Sequence, residues 1–212
     1  MKKLFLFSPL ILIAFWACSY STGKEDCPNY TKTDSVVVGF YPMGKFDTAL
    51  VNLLVDEVEA FYGYSVEVLS GSELPQKAYY KARNRYRADT LLDYLLEVRP
   101  STIDFMVGLT EEDISCTNGN HPDWGVFGLG FLPGKSCVIS SYRLHFGEKS
   151  KAHFQERISK VVIHELGHNF GLPHCPNSNC IMRDAEGTIK SVDAEQKALC
   201  PSCKKMLKKL LP

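Results

Sequence analysis

Residues 161–182 read VVIHELGHNFGLPHCPNSNCIM, and one spacing within them limits the fold more than any other part of the chain. His164 and His168 stand four residues apart. On a helix that separation puts both imidazoles on one face, about 40° apart, where they can share a tetrahedral ion. Two donors do not close a site, so the chain must return. Gly171 permits the left-handed turn that ends a helix, and three residues later His174 can supply a third nitrogen. Glu165 falls too far round the helix to ligate with the histidines but can reach water on the ion, which is the place of a general base. The spacing H-E-x-x-H-x-x-G-x-x-H is met in full by His164, Glu165, His168, Gly171 and His174. Three neutral imidazoles leave a zinc ion its double charge and an open position, where it lowers the pKa of bound water to about 7 and polarises a carbonyl oxygen. A single histidine would be explained by burial in a core; five positions in register with a glycine make that explanation weak.

A second donor set follows at once. Cys175, Cys180 and the C-x-x-C pair Cys200 and Cys203 can close a tetrahedron around another zinc ion. Four thiolates fill every position and bring the assembly to a net −2, so this site activates no water and its work is structural. Lys204 and Lys205 are placed to offset the charge. Apparent metal-binding free energies of roughly 10 to 16 kcal/mol for such sites decide whether a loop-rich segment folds, and the knot would pin the loop that carries His174. An oxidising compartment offers a competing fate, with Cys175 paired to Cys180 and Cys200 to Cys203 as disulfides. Zinc is the favoured reading, because a C-x-x-C disulfide is strained and usually redox-active.

From His164 through Cys203 the chain resembles the archaemetzincin signature, a metzincin-type three-histidine motif continued by C-x4-C-x-M-x17-C-x-x-C. Looser likeness extends to VGFYP, RYRAD, GLTEEDIS and SSYRLHFG, so it spans most of residues 35–205. The resemblance implies an α/β (α+β) fold: a mixed, largely parallel five-stranded sheet, an active-site helix bearing His164 and His168, and a smaller zinc-stabilised C-terminal part beyond Gly171. It also implies that Met182 forms the Met-turn beneath the catalytic ion, that the chain holds two zinc ions, and that it is a zinc metallopeptidase. An edge strand near Gly125 to Phe131 would then pair with an extended peptide or protein substrate.

The N-terminus adds a destination. MKKLFLFSPLILIAFWAC carries Lys2 and Lys3, an apolar run from Leu4 to Ala17, then Cys18, the charge, core and exit order of an export signal. The run is short for a bilayer-spanning helix, which takes about 20 residues. FWAC resembles a bacterial lipoprotein processing site, with Phe15 where leucine is usual. Two readings stand: a signal peptide over 1–17 with Cys18 lipidated, or an uncleaved anchor. Either exports the protein to the cell envelope and holds it at a membrane, whereas most relatives of this kind lack an export signal. Residues 18–34 are polar and turn-rich and read as a tether, leaving 35–212 as one catalytic domain, expected to act as a monomer. The formal net charge of zero gives no electrostatic reason to expect nucleic acid.

Periodicity supplies the elements. Strands are expected at 35–42, 64–69, 102–110, 124–131 and 136–144, the last two forming a hairpin about Pro133-Gly134. Helices are expected from Asp47 to Gly63, from about Pro75 to Val98 with a bend in the first half, from Ser150 to near Gly171, and from about Asp193 onward. Lys81, Arg83, Arg85 and Arg87 read as a solvated helix face, and the KKMLKKLL tail as a helix packed on its own domain. Cys116 with Cys137 is a disulfide guess, with Cys27 left free. His121, His145 and His153 are read as surface or structural residues, with His145 the one to test for transition-state stabilisation. Peptide hydrolysis is the leading function. Hydrolysis of a non-peptide cell-envelope amide, or low-turnover peptide binding, are the alternatives, and Glu165 weighs against the last because binding a metal needs no base.

Overall fold

The computed structural model describes residues 36–185 and 187–210. The signal (1–17), the tether, Cys18 and Cys27 lie outside them. β1 (Val37–Pro42) leads into α1 (Thr48–Tyr62) and then β2 (Ser65–Val68). The carboxylate of Asp47 accepts a hydrogen bond from the Ala49 N–H (2.9 Å) and so caps α1, which ends where Gly63 turns to a φ of 73°. β1 and β2 run parallel, with Val38 opposite Val66, as a strand–helix–strand crossover requires.

The helix expected over 75–98 exists only as α2 (Ala88–Val98). Before it, two single 3₁₀ turns alternate with a short antiparallel pair, β3 (Tyr79–Tyr80) and β4 (Arg85–Arg87), joined through Asn84 in the left-handed region. The alternation Arg-Tyr-Arg is a strand period. Tyr86 puts its ring 5.3 Å from that of Tyr79, while Arg85 reaches Asp113 (3.2 Å) and Arg87 reaches Asp89 (2.8 Å). The solvated helix face is therefore corrected: Arg83 stays exposed, but Arg85 and Arg87 are half-buried ion-pair partners.

β5 (Phe105–Thr110) is buried along its whole length at the centre of the main sheet. β6 (Ile114–Asn118), β7 (His121–Val126), β8 (Gly128–Gly130) and β9 (Ser136–Ser140) follow. The main sheet has the order β2-β1-β5-β9-β8, parallel except for β8, which pairs antiparallel with β9 and forms the edge. The strand expected over 124–131 is thus divided: Trp124 to Val126 belong to β7 and a second, four-stranded sheet, β3-β4-β6-β7, that the sequence did not suggest. Cys116 lies in that second sheet and Cys137 in the main one; both are buried and unbridged, which corrects the disulfide guess.

α3 (Lys151–Asn169) is capped by Ser150, whose hydroxyl accepts from the His153 N–H (3.2 Å). Its Phe154, Ile158, Val161, Val162 and Leu166 join Leu50, Leu54 and Val58 of α1 against Val38, Phe40, Val107 and Ile139 of the sheet. Leu91, Leu92 and Leu95 of α2 cover Met106 and Val138 on the other face. The result is helices on both sides of a mostly parallel sheet. The expected C-terminal helix is two: α4 (Ile189–Ala194) ends at an extended Glu195, and α5 (Pro201–Leu210) restarts at a proline, which suits a first helical position because it lacks an N–H. Cys203 and Leu207 pack α5 inward.

Candidate active site

α3 brings His164 and His168 to one face, their ring centroids 4.6 Å apart. The helix stops after Asn169, Gly171 takes a φ of 93°, and the returning chain places the His174 ring 5.4 Å from His164 and 4.7 Å from His168. One ring nitrogen from each lies within 4.8 Å of the others. Nδ1 of His164 is 2.7 Å from the Ile181 carbonyl oxygen, and Nδ1 of His168 is 2.8 Å from that of Leu172. A carbonyl can only accept, so both Nδ1 atoms carry the proton and both Nε2 lone pairs face the site. Burial pulls His164 down to about 3, helped by His168, and burial also lowers His168. Both are neutral, as ligands must be. His174 is half exposed, with its Nδ1 3.5 Å from Asp184. The donor set, three imidazole nitrogens within 4.8 Å of one another, fits zinc.

Glu165 is buried, and burial, with the charge of Asp184, raises its carboxyl to about 8. Its position is set by β8. A Cβ on Gly128 would come within 2.7 Å of the Glu165 Cγ and 2.9 Å of its Oε1, so only glycine lets the edge strand lie this close. Asn169 holds the strand there, donating to the carbonyls of Phe131 (3.0 Å) and Ser136 (2.8 Å). Neither Gly128 nor Asn169 stood out in the sequence, because each matters only through a strand that is remote along the chain.

Cys175, Cys180, Cys200 and Cys203 gather with their sulfurs within 4.8 Å of one another. Cys175 and Cys200 have their sulfurs 3.8 Å apart, which is about the edge of a tetrahedron with 2.3 Å zinc–sulfur bonds and far from a disulfide. All four are free thiols here. The backbone N–H of Cys203 pulls Cys200 down to about 7, while burial pushes Cys203 up; four sulfurs this close ionise together only against a cation. The cluster fits zinc. Met182 is fully buried and lies beneath α3, with its sulfur against Gly167, between the two histidines in sequence.

A cleft of about 660 Å³ opens over the histidines and Glu165. Trp124, Val161, Val192 and Glu195 share its lining, and in the sequence none of these was read as part of the site. His145 stands apart, exposed, stacked on Phe154 and paired with Glu148 at 2.8 Å. His153 bonds Asp193 and His121 packs near Trp124, so the structural reading of all three holds.

A model of peptidase family M54 matches residues 43–209. Archaemetzincins of Halobacterium salinarum and Haloquadratum walsbyi are 33% and 35% identical over 175 and 179 residues, which is 79% and 81% of this chain and 97% and 99% of those proteins. The chain belongs to peptidase family M54, the archaemetzincins. Its fold agrees: the crystal structure of the Methanopyrus kandleri archaemetzincin superposes with a TM-score of 0.74 at 30% identity, covering 86% of this chain and 98% of that one. The Archaeoglobus fulgidus archaemetzincin, crystallised with malonate, gives 0.69 at 28% identity over 80% and 99%. As an archaemetzincin the chain is a zinc metallopeptidase, and its substrates are peptides.

Proposed function

We propose that His164, His168 and His174 hold the zinc ion used in peptide hydrolysis, that Glu165 is the general base, and that Cys175, Cys180, Cys200 and Cys203 hold a second, structural zinc. The observation that carries this reading is the pair of Nδ1–carbonyl bonds that turn two Nε2 atoms toward the cleft, whose lining includes the mostly buried Glu165. Zinc in the histidine site supplies Lewis-acid polarisation of the scissile carbonyl and acidifies water there. Glu165 accepts the proton of the attacking water at its carboxylate and returns it to the leaving amine. The outer edge of β8 pairs with no strand among the described residues, so the backbone of an extended substrate can add there, next to Glu165. Met182 supports the helix under the ligands.

We further propose, on the N-terminal sequence, that the mature protein is a lipid-anchored exported enzyme acting as a monomer, with residues 1–17 removed, Cys18 acylated, 18–34 the tether and 35–212 the catalytic domain. The Lys2-Lys3, apolar-run, cysteine order supports it. Fatty-acid labelling lost in Cys18→Ser, with the protein moving to the soluble fraction, is the expected result. A mature mass that still includes residues 1–17 would mean an uncleaved anchor instead.

The deciding experiment is zinc per chain with a thiol count, followed by turnover of Glu165→Gln. Two zinc ions, thiols blocked only by metal, and a loss of about 10² to 10⁴ in kcat with zinc retained are expected. One zinc with oxidised C-terminal cysteines would remove the structural site, and full turnover in Glu165→Gln would remove the base.

A further inference from the structure

We propose that the cleft contains a pocket for a basic side chain of the substrate, lysine or arginine, with Glu195 as its counter-charge. This rests on the peptidase reading of the cleft and says which peptides it takes. Glu195 is 5% exposed and lines the same cleft as Glu165 and the three histidines. Neither of its carboxylate oxygens accepts a hydrogen bond from a described residue, and Oε2 is sealed from solvent without a partner. Buried polar atoms are nearly always satisfied, and an ionised carboxylate without donors is costly. Burial pushes this carboxyl up to about 8 against the opposing charges of Lys160 and Arg183.

Lys160 does not supply the missing partner. Its ammonium donates to the Val192 carbonyl (3.1 Å), stands 3.8 Å from Glu156, and forms no ion pair with Glu195. Arg183 also lines the cleft and opposes a cation, but it is half exposed, and Asp184 on the same lining opposes it in turn. Val161 and Val192, both buried, complete the surroundings that suit a long cationic side chain: apolar wall for the methylene stem and a carboxylate for the charged end. An apolar side chain would leave Glu195 buried and unpaired, and an acidic one would add a like charge.

The test separates binding from turnover. Zinc-loaded Glu165→Gln protein is titrated, by fluorescence anisotropy, with N-acetylated labelled peptides carrying Lys, Arg, Leu or Glu at each position in turn. At one position Lys and Arg should bind about tenfold tighter than Leu. Adding Glu195→Gln, or Glu195→Met, should bring that ratio near one, with zinc content and Tm unchanged. No position preferring a cation, or a preference that survives both Glu195 variants, overturns the pocket. A preference seen only with a free N-terminal amine overturns it too, because the cation recognised is then the chain terminus. The peptides are also offered to the unaltered enzyme. Binding preference without cleavage would leave the pocket standing and remove the peptidase reading, whereas cleavage without preference would do the reverse.

Discussion

His164 donates from Nδ1 to the Ile181 carbonyl oxygen at 2.7 Å, and the residues on either side of Ile181 are Cys180, a member of the thiol cluster, and Met182, the residue beneath the helix. Three consecutive residues therefore join the sulfur cluster to the histidine site through the backbone. The Cys175 N–H closes the same loop on the Met182 carbonyl at 2.7 Å, one residue after His174. Partners that orient a metal-bound histidine typically change metal affinity 10- to 100-fold when lost.

Cys180→Ser should accordingly weaken zinc at the histidine site by about tenfold or more, although no ligand of that site is altered. Competition with a chromophoric chelator, read separately for the two sites, checks this. Unchanged affinity at the histidines would show the two centres to be independent.

Gly128→Ala should lower kcat by about 10²-fold with zinc retained, since an added Cβ meets the Glu165 side chain at 2.7 Å and a misplacement of about 1 Å in a catalytic group costs on that order. Steady-state kinetics with metal analysis on one preparation decide it. A kcat equal to the unaltered enzyme would mean that Glu165 relaxes freely away from β8.

The site was legible in the sequence to the extent that it is local. His164, Glu165 and His168 share one helix, Gly171 and His174 one turn, and helical geometry converts their spacing into positions. The four cysteines were legible as a set because thiols at such spacings have few other uses. What depends on remote pairing was not. Residues 79–87 were read as the bent first half of a helix, with Lys81, Arg83, Arg85 and Arg87 on its solvated face, but Arg85 pairs with the remote Asp113 and the strand partner of β4 is β6. Glu195 is an acid among many in the sequence; only the placement of α4 against α3 buries it.

Gly167→Ala should destabilise the protein, against helix propensity, which favours alanine over glycine by about 1 kcal/mol. The new Cβ would collide with the Met182 sulfur and come within 3.0 Å of its Cε and 3.3 Å of the Tyr62 hydroxyl, and Met182 is fully buried. Overpacking of this kind costs about 1 to 3 kcal/mol. Denaturant melts give the sign directly, and a gain in stability would mean that Met182 is free to move from beneath the helix.

Asp193→Asn tests the tie between α3 and α4. Asp193 accepts from Arg157 Nε at 2.7 Å and Nη2 at 2.9 Å, and the Arg157 guanidinium holds its carboxyl down at about 2, assisted by His153. A depressed carboxylate stabilises the fold fully above its unfolded pKa of about 3.8 and loses that contribution as pH falls through the folded value. Because Asp193 is 32% exposed, screening reduces the contribution to about 1 to 2 kcal/mol. The variant should therefore be less stable than the natural chain by a constant amount near neutral pH, with the difference shrinking between about pH 4 and pH 2. Urea melts across that range measure it. A difference that persists unchanged at pH 2 would place the stabilisation in packing rather than in the charge of Asp193, and would leave α4, and with it the wall carrying Val192 and Glu195, held by other contacts.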